Sequence, residues 1–369
     1  MEITEYRANA MQMIALTRCA LNGTIPDEAL ISSLQTDHLF TVCQSHALTA
    51  CVAYALESAG VSNAAFVEAK NKAIRKNLLL DAERAKILKR LEQEKIWYLP
   101  LKGAILKDWY PKIGMRQMSD NDILCDPDRR ADIRQLMLDM GFSCEHFEKG
   151  NDDAYYKEPV FNFEMHHSLF SAAHSQKLYA YYGNIKQKLV KDEGNLYGFR
   201  FRDEDFYVYA IAHVYQHYVS CGTGVRSLFD TAVMLRKFND TLDFSYISAQ
   251  TDVLGITEFE NRLRRISLQI MQGDKLNAED SEMLDFCITS GTYGNKNHET
   301  ENLLREHQNS KGRYLWNRLF PPMDWVATYY PFFAKHRWLM PVLWIYRPIR
   351  GIFCHAKELK TELTHLRRL

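Results

Sequence analysis

The sequence predicts an α+β fold, a small mixed-sheet core flanked by N- and C-terminal helical regions, and three observations predict it. Apolar residues recur at helical spacing through the first ninety-odd positions. Short β-rich runs then crowd into about 75 residues that begin at Ile96. Helical periodicity resumes near Lys177. Strands gathered in one stretch between helical stretches are the pattern of an α+β chain.

The elements follow in order. Pro26-Asp27-Glu28 opens a helix with proline and acids in its first turn. Residues 37–58 carry no breaker and read as one helical stretch that Gly60 closes. Ser62 or Asn63 caps a long amphipathic helix reaching about Lys95, with Val67, Ile74, Leu78, Leu88 and Leu91 as its apolar positions. Residues 96–99 form a strand that Pro100 ends, and 103–109 a brief helix broken by Pro111 and Gly114. Residues 121–125 read as a strand, and Asp126-Pro127-Asp128 starts a helix that Gly141 stops. Further strands are expected over 142–146, 154–157 and 160–169. Asp203-Glu204-Asp205 then supplies charge at the start of a helix running to Tyr218. More helices follow through Arg236 and over 258–272 and 278–289. Four regions result: residues 1–95, a core over 96–172, a helical region over 173–315 that closes a cleft, and a basic, aromatic tail over 316–369. Residues 295–311 are the most polar stretch and are expected to be a mobile loop.

Composition narrows the function. The chain has 369 residues, 46 basic against 46 acidic, so no global field draws it to DNA or RNA. Its eight cysteines are scattered, without the spacing of a disulfide framework or a zinc ribbon. The acidic start lacks the order of a signal peptide, and a cytoplasmic location is expected. Residues 338–353 are apolar but interrupted by Pro341, Arg347, Pro348 and Arg350, and fall short of the roughly 20 residues that span a bilayer. From Lys335 onward there are eight Lys/Arg against two Glu. This tail reads as a solvated cap on the core, with an interfacial or docking segment as the alternative.

The chemistry gathers in the core. Along a strand alternate side chains share a face, so Asp120 and Asp122 project together, roughly 7 Å apart along the backbone. Two carboxylates that close repel unless something positive lies between them, and a hard dication meets that need. Phe161-Asn162-Phe163-Glu164-Met165-His166-His167 alternates as a strand, with Glu164 and His166 on one face. Placed beside the first strand, it brings a third acid to a two-metal site. A lone D-x-D is a weak signal; the ordered set of L-K-G, D-x-D and E-x-H is a stronger one.

Leu101-Lys102-Gly103-Ala104, Tyr110-Pro111, Arg116, the block from Ser119 to Leu124 and Glu164-x-His166 together resemble the uncharacterised nucleotidyltransferases of the polymerase-β-like superfamily. His213 and His217, Gly224-Val225-Arg226 with Asp230, and the Phe320-Pro321 region extend the resemblance over most of the chain. The resemblance implies transfer of a nucleotide from an NTP, ATP among them, to an acceptor, with release of pyrophosphate. It implies Mg²⁺, two ions, with Mn²⁺ as the alternative, held by Asp120, Asp122 and Glu164. Glu164 would serve as ligand or as base, and Lys102, Gly103, Ala104, Arg116 and Ser119 would meet the nucleotide. The chain departs from the pattern at Ala104, where the superfamily has Gly or Ser, and at Asn121, where the middle of D-x-D is usually apolar.

His213 and His217 stand one helical turn apart and could chelate zinc, but the pattern shows no third ligand, so they read as cleft-lining. Arg226 and Asp230 are either a salt bridge four residues apart or part of the acceptor pocket. Tyr155-Tyr156 and residues 179–182 could stack a base or pack a core. A small molecule or sugar is favoured as acceptor over RNA or protein. The alternatives are a catalytically degenerate member that binds nucleotide or a protein, and a toxin-like enzyme that modifies RNA or protein.

Overall fold

The computed structural model describes residues 1–147, 150–239, 241–292, 294, 300, 302, 304, 310–354, 356, 360 and 366. Most of the loop expected over 295–311 lies outside the described residues.

The chain opens with four helices, α1 (Ile3–Asn22), α2 (Glu28–Ser32), α3 (Thr36–Ser45) and α4 (Thr49–Ser58). The single helical stretch expected over 37–58 is therefore two helices. They break at Ala47, whose φ of 51° lies in the left-handed region that disfavours a side chain. The turn seats the buried His46 ring, which meets the Tyr6 hydroxyl at 3.2 Å and accepts from the Val225 amide at 3.4 Å. This long-range demand leaves no glycine or proline in the sequence to announce it.

Asn63 caps α5 (Ala64–Gln93) by accepting from the amides of Ala65 and Phe66. The buried stripe of α5 is Phe66, Ala73, Asn77, Leu80, Ile87 and Leu91. Val67 and Leu78, expected on that stripe, are exposed. The helix lies one position round from its most apolar face, because the stripe also carries Asn77 and Glu83, which have partners on the sheet side.

The sheet has the order β1-β2-β5-β4-β3, formed by β1 (Tyr98–Pro100), β2 (Asn121–Cys125), β3 (Ser143–His146), β4 (Asp152–Lys157) and β5 (Phe161–His166). All pairings are antiparallel except β2 with β5. A short helix, α6 (Gly103–Leu106), follows β1, and α7 (Arg130–Asp139) follows β2. Period-two alternation sorts the strands into two faces. Ile123, Cys125, Tyr155, Phe163 and Met165 turn to the rear, where they pack with α5 and α7. Asp122, Glu164 and His166 turn to the front.

Beyond the sheet come α8 (Gln176–Tyr182), α9 (Asp203–Ser220), α10 (Arg226–Phe238), α11 (Phe244–Leu254), α12 (Thr257–Gln272) and α13 (Ala278–Ser290). Between α8 and α9 the chain forms a strand pair, β6 (Val190–Lys191) and β7 (Phe199–Arg200), where helix was expected. Gly198 bridges to Tyr98 at the edge of β1. Two-residue strands carry no readable period. Helices α1, α3 and α4 share one hydrophobic core with α9, α10, α12 and α13, so the first and last helical stretches pack as one body in front of the sheet.

The tail is helical over Lys311–Leu319, Met323–Tyr329, Pro331–Lys335 and Met340–Cys354. Part of the tail expected to cap the principal core lies outside the described residues, and what is described of it packs apart from that core. Val326, Met340 and Leu343 make a separate small cluster, and the tail meets the body where the Tyr329 hydroxyl lies 3.2 Å from His174 Nε2.

Candidate functional site

The parallel register of β2 and β5 sets Asp122 directly opposite Glu164, with Leu124 opposite His166. On the far side of β5, the antiparallel register sets Asp152 opposite His166. Residues paired across neighbouring strands present side chains to the same face. The front of the sheet therefore carries Asp122, Glu164, His166 and Asp152 together. Asp120 stands one residue ahead of β2, close enough to Asp122 to feel its charge.

One oxygen of Asp122, one of Glu164 and one nitrogen of His166 lie within 4.8 Å of one another. His166 Nε2 is 3.0 Å from Asp122 Oδ1 and 3.6 Å from Glu164 Oε2. Lys102 Nζ is 3.4 Å from the same Asp122 oxygen. Burial alone would raise the Asp122 carboxyl, but Lys102 and the hydrogen bond from His166 outweigh it and hold this acid well below the usual carboxylate range. Burial and the Asp122 charge push Asp120 the other way, upward. Burial also opposes a charged His166, yet its hydrogen bonds to Asp122 and Glu164 prevail and raise it to about 9. The site is thus an acidic cluster whose compensating charge comes from Lys102 and His166.

The donor set is one that could hold a divalent cation. Two carboxylates and one imidazole could hold a metal ion, and among the described residues this group includes no thiolate. The tight triple includes His166, which was expected only to line the cleft, while Asp120 stands beside it as the further carboxylate.

The remaining expected residues fall into different places. Lys102 has a φ of 41°, a strained setting for a side chain at the turn into α6, and its ammonium reaches the acids. Gly103 was expected to open space for a triphosphate. A Cβ there would stand 2.5 Å from Arg116 Nη1 and 3.0 Å from Met118 Cε, so what the glycine admits is the arginine. Arg116 was expected on phosphate oxygens, but the structure seats it in a buried two-pronged pair with Asp230, at 2.8 and 3.0 Å. Tyr110 donates to the same carboxylate at 2.7 Å. Asp230 therefore pairs with Arg116, where a bridge to Arg226 was one of two readings. Arg226 donates to the Gln117 carbonyl at 3.3 Å, and its charge lowers Asp120. Ala104 is buried behind Lys102, and Ser119 hydrogen-bonds Asp120.

Helix α9 forms the opposite wall. His213 and His217 lie with their Nε2 atoms 3.2 Å apart and feel both Lys102 and Asp122. Burial, then Lys102, pushes His213 well below its ordinary value, so it is neutral. Among the described residues they gain no third ligand for zinc. Tyr155 is fully buried at the rear, whereas the Tyr156 hydroxyl lies near Glu164, Asp120 and Asp152.

Three residues at the site escaped the sequence. Asp152 begins a strand that was expected to start two residues later. Lys76 of α5 donates to the Ser119 carbonyl at 2.8 Å and feels Asp120. Arg84 of α5 supplies Asn121 with its partner, at 2.7 Å. Both cations sit on a helix whose periodicity speaks only of scaffold; no local signal could have found them.

A family model described as an uncharacterised nucleotidyltransferase matches residues 32–271, about two-thirds of the chain and all of the sheet. No curated protein and no solved structure matches the sequence.

Proposed function

The chain belongs to the uncharacterised nucleotidyltransferase family and transfers nucleotidyl groups, and on that premise we propose that it carries a nucleoside monophosphate from an NTP to a hydroxyl-bearing acceptor, with Mg²⁺. The observation that carries this reading is the register that sets Asp122 opposite Glu164, with Asp120 beside them. Asp120, Asp122 and Glu164 would hold the cation, with His166 in reach. An ion held there would supply positive charge to phosphoryl oxygens and would acidify the acceptor hydroxyl.

The chain's own residues do the rest. Lys102, whose ammonium lies 3.4 Å from Asp122 Oδ1, would neutralise phosphate oxygens once the acids have another partner. Glu164, more open than Asp122, takes the proton of the acceptor hydroxyl. The hydroxyl oxygen then bonds to the α-phosphorus as the bond to the bridging oxygen breaks, and pyrophosphate leaves. His213 and His217 form the wall opposite the acids, and the neutral His213 keeps that wall from adding a fixed cation. A cleft walled by acids and a neutral imidazole favours a small molecule or sugar as acceptor over a long polyanion.

Isothermal titration of each NTP with Mg²⁺, on the natural chain and on Asp120→Ala/Asp122→Ala, tests the reading. Metal-dependent binding of one NTP that disappears in the double variant is expected. A folded natural chain that binds none of the four would overturn it.

A further inference from the structure

We propose that the tail is an interfacial anchor that lays its outer face on an anionic bilayer surface. The helix Met340–Cys354 is apolar on two sides. Met340 and Leu343 turn inward and are buried. Val342, Ile345, Ile349 and Phe353 follow one another at intervals of three, four and four residues, which is one continuous helical stripe. That stripe is exposed: 65% at Ile345 and 83% at Phe353. Arg347 and Arg350 lie between these apolar positions, and among the described residues only the Met340–Leu343 side is covered by protein, so the outer stripe is left without an apolar partner.

The neighbouring segments are open at large apolar residues as well. Trp338 is 76% exposed and Trp316 64%, with Phe332 open as well. Four of the six tryptophans of the chain lie between Trp316 and Trp344. Tryptophan is the side chain that prefers the boundary between lipid and water, and large apolar residues left exposed in numbers within one segment point to a docking surface.

Charge selects the occupant. From Lys311 to Phe353 there are seven Lys/Arg against one acid, Asp324. Lys335 and Arg337 are exposed beside Trp338. A second copy of this chain would bring the same positive rim, and like charges facing each other disfavour that pairing. A negatively charged lipid surface satisfies the apolar stripe and the basic rim together. The segment lies on the surface and does not cross it, since no described helix is long and apolar enough to span. The contact of Tyr329 with His174 ties this anchor to the body beside the candidate site.

The test is co-sedimentation of the full chain with phosphatidylcholine vesicles made with and without phosphatidylglycerol, read together with tryptophan emission. Binding to the phosphatidylglycerol vesicles is expected, with a blue-shifted emission and weakening at high salt. Trp338→Asp/Ile345→Asp/Phe353→Asp changes only exposed positions, so its melting temperature stays near that of the natural chain. Its partitioning falls by about tenfold or more. Lys335→Gln/Arg337→Gln lowers the preference for phosphatidylglycerol and leaves the emission shift of the bound fraction in place. Failure of the natural chain to bind phosphatidylglycerol vesicles overturns the proposal. So does binding that the triple variant retains, or a dimer in solution that the triple variant dissolves while vesicle binding is absent.

Discussion

The front and rear faces of the sheet are made from the same strands, yet one is a cluster of charges and the other a packed hydrocarbon layer. Phe163 and Glu164 are neighbours in β5. The first is fully buried against Phe142, with ring centroids 5.7 Å apart; the second stands opposite Asp122 over the cleft. The period of two lets one short segment serve packing and chemistry at once, because adjacent residues never share a neighbour. Each face can therefore be broken without the other.

The largest effect is expected at the front. Asp122→Asn keeps the shape of the side chain and removes the charge that binds cation, Lys102 and His166 together. Nucleotidyl transfer should fall on the order of 10³-fold, a loss of several kcal/mol of transition-state stabilisation. Steady-state turnover measured beside a thermal melt checks this. A variant that keeps near-natural turnover would place the chemistry elsewhere.

The matching break at the rear is Phe163→Ala. It leaves a cavity in the rear core beside Phe142 and should cost about 3–5 kcal/mol of stability. Denaturant unfolding measures this. Metal-dependent NTP binding by the folded fraction should stay within a few-fold. Loss of binding at full stability would mean the two faces are not separable.

The buried histidines extend the comparison to pH. His166 at the site is raised to about 9 by its acids, whereas burial lowers His46, in the packing region, to about 4, with Arg226 adding to the shift. A folded value below the unfolded one means that the unfolded chain binds the proton more readily. Stability from His46 is thus full above about 6.5, falls as pH drops, and is lost by about 4, a total of about 3 kcal/mol. His46→Gln should flatten that acid limb in unfolding curves recorded between those values. An unchanged limb would assign the acid sensitivity to other groups.

How much of this the sequence contains depends on the range of the interaction. Strands β2 and β5, and the side that each acid takes, are legible because alternation is local. The parallel pairing that joins them is not, since it rests on a crossover through α7, β3 and β4. The same distance hides the fate of Arg116, which reads as a phosphate ligand until a partner 114 residues away claims it. Lys76 and Arg84 were invisible because α5 presents them by its rotation, and that rotation is set by Asn77 and Glu83 as much as by leucines. Residues 37–58 read as unbroken because nothing local reports that His46 must turn inward.

The smallest expected effect lies on the boundary between the two faces, at Asn121. Its side chain points to the rear, fully buried, between acids that point forward. Its oxygen accepts from Arg84 at 2.7 Å, but its amide nitrogen is buried without a hydrogen-bond partner. Asn121→Ile would remove that unsatisfied donor and restore an apolar rear face, and would remove the bond from Arg84. The guanidinium keeps Asp81 at 2.7 Å, so it is not left alone. An unmet buried donor costs about 1–3 kcal/mol, and a hydrogen bond to a charged group contributes about 1.5–3 kcal/mol. The two nearly cancel, and the unfolding midpoint should shift by no more than about 1 kcal/mol equivalent. A much larger loss would show that Arg84, through Asn121, fixes the path of the strand that carries Asp122, and turnover should then fall with stability.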